Sequence, residues 1–483
     1  MNPISRYFGS LFQPDTERYL TAWVFLRSLA LIYFAAFLSL SGQMAGLVGP
    51  QGILPYQETL DAASGWQRLA MPTVFWISSD DWALQGASYA GCLFALLLFF
   101  GRWQTLSLVM LFVLYLSVFH AGQIFLDFQW DYLLLETGFL AIFLRAGPSG
   151  MVILLYHWLL FRLRFLSGVA KLVTEDPNWA NLGALEYYFE TQPLPHVGAW
   201  YAHHLPDWLL MTGTGFTLAT ELVVPFFIFL PRPFRVTAAL LTIVMQLSII
   251  ATSNHNFINL LTILLCLLLL DDRIVARFVP ERLRERLMKR KRQKATPKVP
   301  AIVLAVAIFG TSLPLTASMV TGIEPSGSFL QVIHFARGYG LGAIYHVFPT
   351  MQTERLELVI EGSANGRHWW PYRFRYKPND TDTAPRFIVP HQPRLDWMMW
   401  FVPTQAPMMI DWFERFLWRL AQNEPTVTAL LEQNPFADEP PRFLRILAYR
   451  YRFTTPEERK KTGEWWQAEY LGRFPHQVPP RFP

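Results

Sequence analysis

Long apolar runs separated by short polar stretches fill the first two-thirds of the chain. They predict nine candidate spans, at about residues 21–41, 84–100, 104–121, 131–145, 151–173, 208–230, 236–252, 257–271 and 300–320. A straight helical span needs roughly 20 apolar residues, so the shorter runs predict tilted, broken or re-entrant segments. After residue 321 the period changes. In 355–361, Leu356, Leu358 and Ile360 share one strand face. A turn containing Asn365 and Gly366 then leads to a return strand alternating Trp370, Tyr372, Phe374 and Tyr376 with Arg373, Arg375 and Lys377. A second hairpin sets Leu447, Tyr449, Tyr451 and Phe453 against Trp466, Ala468 and Tyr470. Residues 407–422 and 425–433 read as short amphipathic helices. The expected architecture is therefore a polytopic α-helical membrane domain of about nine spans (1–321, with outer loops 42–83 and 174–207). A soluble, mainly-β, sandwich-like domain with helical insertions follows (322–483).

Composition agrees with a membrane protein: 52% of residues are hydrophobic and mean hydropathy is +0.23. The two cysteines, Cys92 and Cys266, both sit in apolar runs, which argues against a structural disulfide or a zinc site. The net charge of +5 is concentrated in 271–299, where eleven Lys/Arg face four Asp/Glu. Beside a membrane, such a loop is an orientation signal and a match for anionic lipid, and it does not imply nucleic acid. Arg6 and Arg18, Arg102, Arg145, Arg232 with Arg235, and this cluster fall on alternate loops. The positive-inside rule puts those loops in the cytoplasm, so loops 42–83, 122–130, 174–207, 253–256 and everything after 321 face outward. The first apolar run contains Arg27 and lacks a small-residue cleavage site, so no cleavable signal peptide is expected.

Several polar groups lie where hydrocarbon is expected, and each needs a partner or a wet cavity. Gln129, Asp131 and Glu136 lie in the outer half of the fourth span, Lys171 near the outer end of the fifth, and Asn256 and Asn259 at the start of the eighth. Their matched depth fits one polar, outward-opening cleft beneath loop 174–207, or a structural hydrogen-bond network joining the helices. Arg162 and Arg164 sit mid-depth and point about 200° apart on a helix. At least one therefore needs an acid, and Glu221 has the right depth for an intramembrane ion pair. Loop 42–83 carries Gly52–Tyr56 (G-I-L-P-Y) and Trp66, Trp76 and Trp82, suited to the headgroup layer. Loop 174–207 reads as an aromatic outer lid. His203 and His204 are adjacent and lack metal-ligand spacing, so no metal and no cofactor are implied. No nucleophile elbow and no phosphate-cradling glycine loop occurs. Glu186, Tyr187 and Trp200 in the lid, and His391, Arg394, Asp396 and Trp397 in 389–401, are candidate contacts for a protein partner.

The wording of several stretches resembles the lipase maturation factor family: G-I-L-P-Y, Q-W-D-Y-L-L-L-E-T-G from Gln129, S-G-V-A-K-L from Ser167, W-A-N-L from Trp179 through Y-Y-F-E-T-Q-P-L-P, N-H-N-F-I-N-L-L-T from Asn254, L-V-I-E-G-S from Leu358, and P-H-Q-P-R-L-D-W from Pro390. The resemblance covers most of the chain. It implies a membrane protein that helps dimeric lipases fold and assemble, with its C-terminal domain in the lumen of the endoplasmic reticulum. Low cysteine content and a chain end without a retention tetrapeptide resemble a bacterial member, in the inner membrane with the C-terminal domain in the periplasm. The partners implied are membrane lipid and an exported client, a lipase. S-G-V-A-K-L is also similar to the membrane region of vitamin K-dependent γ-carboxylases, where a matching lysine acts as base on a quinol. The alternative it implies is an intramembrane enzyme acting on a lipid or quinone, with Lys171 as general base and Asp131 beside it.

Overall fold

The computed structural model describes residues 11–145, 147–289, 296–404 and 410–474. Part of the basic loop (290–295), the start of the 407–422 helix and the chain end from 475 lie outside the described residues. Each expected span contains a helix. These are α1 (Tyr19–Ser41), α2 (Asp81–Phe99), α3 (Gln104–Gly122), α4 (Gln129–Leu144), α5 (Gly150–Val173), α6 (Asp207–Leu222), α7 (Arg232–Thr252), α8 (Ile258–Leu267) and α9 (Lys298–Thr321). Seven are long and apolar enough to cross a membrane, with α3 and α6 extended by 3-10 turns to Phe125 and Phe229. Seven of the nine expected spans thus meet that length and hydropathy. The exceptions are α4, with 16 residues, and α8, with 10. At 1.5 Å per residue α8 covers only about 15 Å, half the hydrocarbon thickness.

Helix α5 is the axis of the bundle: 89% of its most apolar window is buried, against 28% for α7. α4, α6, α8 and α9 all pack on it. α7 instead shows Leu240, Val244 and Leu247 to the surroundings, as a lipid-facing helix does. Ser149 caps α5 by accepting from the Val152 N–H. The start of α1 has no local cap. Its first N–H groups, on Leu20 and Thr21, donate to the Asp272 carboxylate at 3.1 and 2.9 Å. The Arg18 Nε donates to the Leu268 carbonyl, and Asp15 pairs with Pro148 through the backbone. The chain start, the α4–α5 turn and the start of the basic loop thus meet at one end of the bundle. The alternate-loop arrangement of charge requires that meeting.

Beyond α9, helix α10 (Gly327–Gly338) leads to a single four-stranded antiparallel sheet. Its strands are β1 (Arg355–Ser363), β2 (Trp370–Pro371), β3 (Phe443–Phe453) and β4 (Trp466–Arg473), in the order β2-β1-β3-β4. The β3–β4 hairpin forms as its alternation predicts, joined by a short helix (Pro456–Thr462) with a Thr455/Glu458 capping box. The first hairpin is cut short. Only Trp370 and Pro371 pair with β1, and β1 takes β3 as its long partner, with Arg355 opposite Tyr451 and Ser363 opposite Phe443. Pro371 has no N–H for the ladder, and the N–H groups of Tyr376 and Lys377 go to the Asp396 carboxylate. No second sheet occurs among the described residues, so the sandwich expectation is corrected to one sheet covered by helix. Residues 410–421 bury Trp412, Phe413, Phe416, Leu417 and Leu420 on one stripe, and Phe416 packs on Phe374. The expected 425–433 helix is one turn, Pro425–Thr428. One apolar core runs unbroken from Leu11 through the bundle to Ile446 of β3. A smaller one joins lid residues Phe189 and Trp200, and Leu210 of α6, to Tyr451, Phe453, Trp465 and Trp466.

Candidate functional site

The structure divides the expected outer cleft into separate sites. Asp131, in the first turn of α4, is wholly buried and faces Arg394 rather than Lys171. Arg394 donates two hydrogen bonds to its carboxylate, at 2.6 and 2.8 Å, and Tyr115 of α3 donates a third at 2.6 Å. A bidentate, charge-assisted pair of this kind is among the stronger polar contacts a protein makes. Around it, residues 388–399 form a strap threaded into the end of the bundle that meets the sheet. The Ile388 N–H donates to Asn254 at 3.0 Å, the Gln392 N–H to Ser39 at 3.0 Å, and the Arg394 N–H to Gln43 at 2.8 Å. Asn256, held at positive φ, binds the Gln392 amide oxygen at 3.1 Å. Trp397 is buried edge-on against Trp130.

The candidate contacts Arg394, Asp396 and Trp397 are therefore not exposed, because each fills a polar or apolar gap between sheet and bundle. His391, half-buried, shares a 2.9 Å hydrogen bond with Ser39. Burial pushes the Asp396 carboxyl up to about 6, against the pull of the two N–H donors it accepts. Burial, helped by the charges of Arg394 and Arg375, lowers the His391 imidazole to about 4. A histidine below its ordinary value of about 6.5 contributes stability that is complete above pH 6.5 and lost as pH falls toward 4. At pH 5 its share of the loss is about 2 kcal/mol. Thermal unfolding of His391→Gln should accordingly vary less between pH 7 and pH 5 than that of the unaltered chain.

The two mid-depth arginines turn to different acids. Arg164 lies 3.2 Å from Glu221. Arg162 turns the other way and pairs with Glu136 of α4, which also accepts from the Tyr345 hydroxyl at 3.1 Å. Arg162 donates further to the Ala343 carbonyl at 3.0 Å. The shared Arg162–Arg164–Glu221 pairing is thus corrected to two sites, because the roughly 200° between the arginines sends them to different helices. Glu136 belongs to the Arg162 site and not to the cleft.

Lys171 belongs to the Arg164 site. Its Nζ is 2.8 Å from Glu221, donates to the Ser167 and Val347 carbonyls, and stacks on Trp179. These groups border a cavity of about 90 Å³ among α5, α6, α7 and α8, lined also by Tyr188, His255 and Phe348. Asn259 lines it and donates to Gln246 at 2.8 Å. Gln129, at the top of α4, accepts from the His346 N–H at 3.3 Å. Of the six cleft residues, only Lys171 and Asn259 line one cavity. Among the described residues no group of three His, Cys, Asp or Glu is placed to hold a metal.

The lid is pinned to the sheet by a residue that the apolar pattern passed over. Arg355, at the start of β1, is buried and donates to the carbonyls of Glu190 at 2.9 Å and Pro193 at 3.0 Å, and to Glu357 at 2.6 Å. Lys377 completes the cluster at 2.9 Å from Glu357. The signal was present in the sequence: Arg355 and Glu357 alternate with the leucines and so share the opposite strand face. Trp200 is buried and donates to the Thr454 carbonyl at 3.0 Å, so it too is a packing residue. Glu186 and Tyr187 stay partly exposed on the lid.

Both halves of this arrangement have counterparts. Residues 20–277 match the lipase maturation factor transmembrane domain, and residues 341–476 match the lipase maturation factor C-terminal domain. The chain belongs to the lipase maturation factor family. It is 31% identical to lipase maturation factor 2 of Mus musculus, over 93% of this chain and 82% of that protein. It is 30% identical to lipase maturation factor 1 of Homo sapiens, over 94% and 87% respectively. No solved structure matches it. Family and apolar helices together make it a multi-pass integral membrane protein. The two matched regions are the two parts that the strap and Arg355 join.

Proposed function

We propose that this chain is a membrane-embedded, chaperone-like maturation factor that assists the folding or assembly of exported lipases. Its C-terminal module and lid face away from the cytoplasm, in the periplasm of a bacterial cell. The observation that carries the reading is the match to both lipase maturation factor regions, with relatives of that name aligned over more than nine-tenths of the chain. The geometry supports it in a second way. The lid and the β3–β4 hairpin share one small core, and on the same elements Tyr201 is 58% and Tyr470 56% exposed, with Trp208 at the start of α6 67% exposed. Apolar surface of this kind suits transient contact with an incompletely packed protein. β4 is also the edge of the sheet among the described residues, and its open backbone groups suit pairing with an extended client segment.

The enzyme reading loses its constellation, since Asp131 is occupied by Arg394 and Lys171 by Glu221. The test is the specific activity of secreted lipases, per mass of immunodetected lipase, in cells with and without this chain. Lipase protein made but inactive without the chain, and restored equally by the unaltered chain and Lys171→Arg, is the expected result. Lipase activity indifferent to the chain would overturn the proposal.

A further inference from the structure

The cavity beside Lys171 holds an unbalanced charge. Its walls carry Arg164, Lys171 and a single acid, Glu221, all of them buried. Lys171 and Glu221 touch, so the pair is neutral whichever of them holds the shared proton. Arg164 stays protonated and leaves one positive charge over. A buried cation without a counter-charge is costly and calls for an anion. Hydrogen bonding is also incomplete on these walls, with the Glu221 Oε2 among the unfilled acceptors. The Arg164 Nε has no acceptor. Gln246 and Asn259, each about 2% exposed, bond only to each other and leave the Gln246 Nε2 and Asn259 Oδ1 unfilled. Exchanging nitrogen and oxygen in both amides still leaves one donor and one acceptor open on that wall.

Much of the rest of the lining is apolar: Leu163, Ile249, Ile258 and Phe348 stand among the hydroxyls of Ser167, Thr217 and Thr262. Two of the walls, α6 and α7, are the helices most exposed to the surroundings of the bundle, with Leu247 54% and Val223 55% exposed. A charged head could therefore be held here while its chain lies along lipid-facing helices.

We propose that this cavity binds the singly negative headgroup of a membrane amphiphile, with Arg164 as counter-ion and the open amide N–H of the Gln246–Asn259 pair as its hydrogen-bond donor. A fatty-acid carboxylate and an anionic phospholipid phosphodiester share that chemistry, and the experiment separates them. A neutral or zwitterionic head would leave the Arg164 charge unmatched.

The full chain, purified in detergent, would be titrated separately with oleate, phosphatidylglycerol and phosphatidylcholine. Bound lipid would be read by native mass spectrometry and by the shift in thermal unfolding. The variants are Arg164→Gln, which removes the extra charge, and Gln246→Leu, which leaves all three charged groups in place. Saturable one-to-one binding of oleate or phosphatidylglycerol is expected, weakened at least tenfold in both variants, with phosphatidylcholine failing to compete. Whichever of the two binds identifies the source. If Arg164→Gln does not fold, Gln246→Leu decides. Binding of neither anion, binding unchanged by Gln246→Leu, or equal binding of phosphatidylcholine would overturn the proposal.

Discussion

Arg394→Met should release the strap and loosen the C-terminal module from the bundle. The substitution leaves Asp131 fully buried, with the Tyr115 hydroxyl but no counter-charge. Stranding one member of a buried pair costs about 3–5 kcal/mol, a large share of a domain's net stability. The loss should appear as a lower unfolding temperature in detergent and as new proteolytic cleavage in residues 388–404. Asp131→Leu combined with Arg394→Met removes both charges. That double variant should recover most of the loss, because an apolar pair of similar volume can replace a buried ion pair. The non-additivity of the two changes is the measurement that assigns the effect to the pair.

A comparable effect is expected one and a half turns down the same helix. Glu136→Leu strands Arg162, whose side chain has no exposure. It also removes the acceptor of the Tyr345 hydroxyl. The cost is again about 3–5 kcal/mol. Its location differs: the site ties α4 to α5 and both to the segment leading into the sheet. Glu136→Leu should therefore destabilise the bundle itself, while the strap variant acts mainly on the module. Proteolysis should show the difference, with cleavage within the bundle loops for Glu136→Leu and confined to the strap for Arg394→Met. Glu136→Leu with Arg162→Met should again lose less than the single change.

These two sites also show where reading the sequence succeeds. Apolar periodicity is local, so it marks every helix of the bundle. Run length could not separate a spanning helix from the buried 10-residue α8, because both are continuously apolar. Depth matching found Glu221 as an acid for one of the two arginines, since these positions follow from helix rise alone. It could not find the partner of Asp131, which lies 263 residues away on another element. Nor could it tell which acid serves which arginine, because that depends on how the helices rotate. The cleft dissolved for the same reason: shared depth does not mean a shared face. In the module, residues 370–376 alternate as a strand does. Tertiary hydrogen bonds to Asp396 and a proline at the second position outweigh that pattern. Polar residues in 389–401 looked like a contact surface, and the same residue types serve as well to bury a strap between two parts of one protein.

That last distinction is open to direct measurement by hydrogen exchange on the full chain in detergent, followed through residues 388–399. The strap's backbone N–H groups at Ile388, Gln392 and Arg394 bond to the buried Asn254 and Ser39 and the half-buried Gln43 of the bundle. They should exchange as slowly as the amides of α5, and speed up together in Arg394→Met. Exchange of the unaltered segment within seconds, at the rate of a surface linker, would contradict the account and return His391, Arg394, Asp396 and Trp397 to the surface.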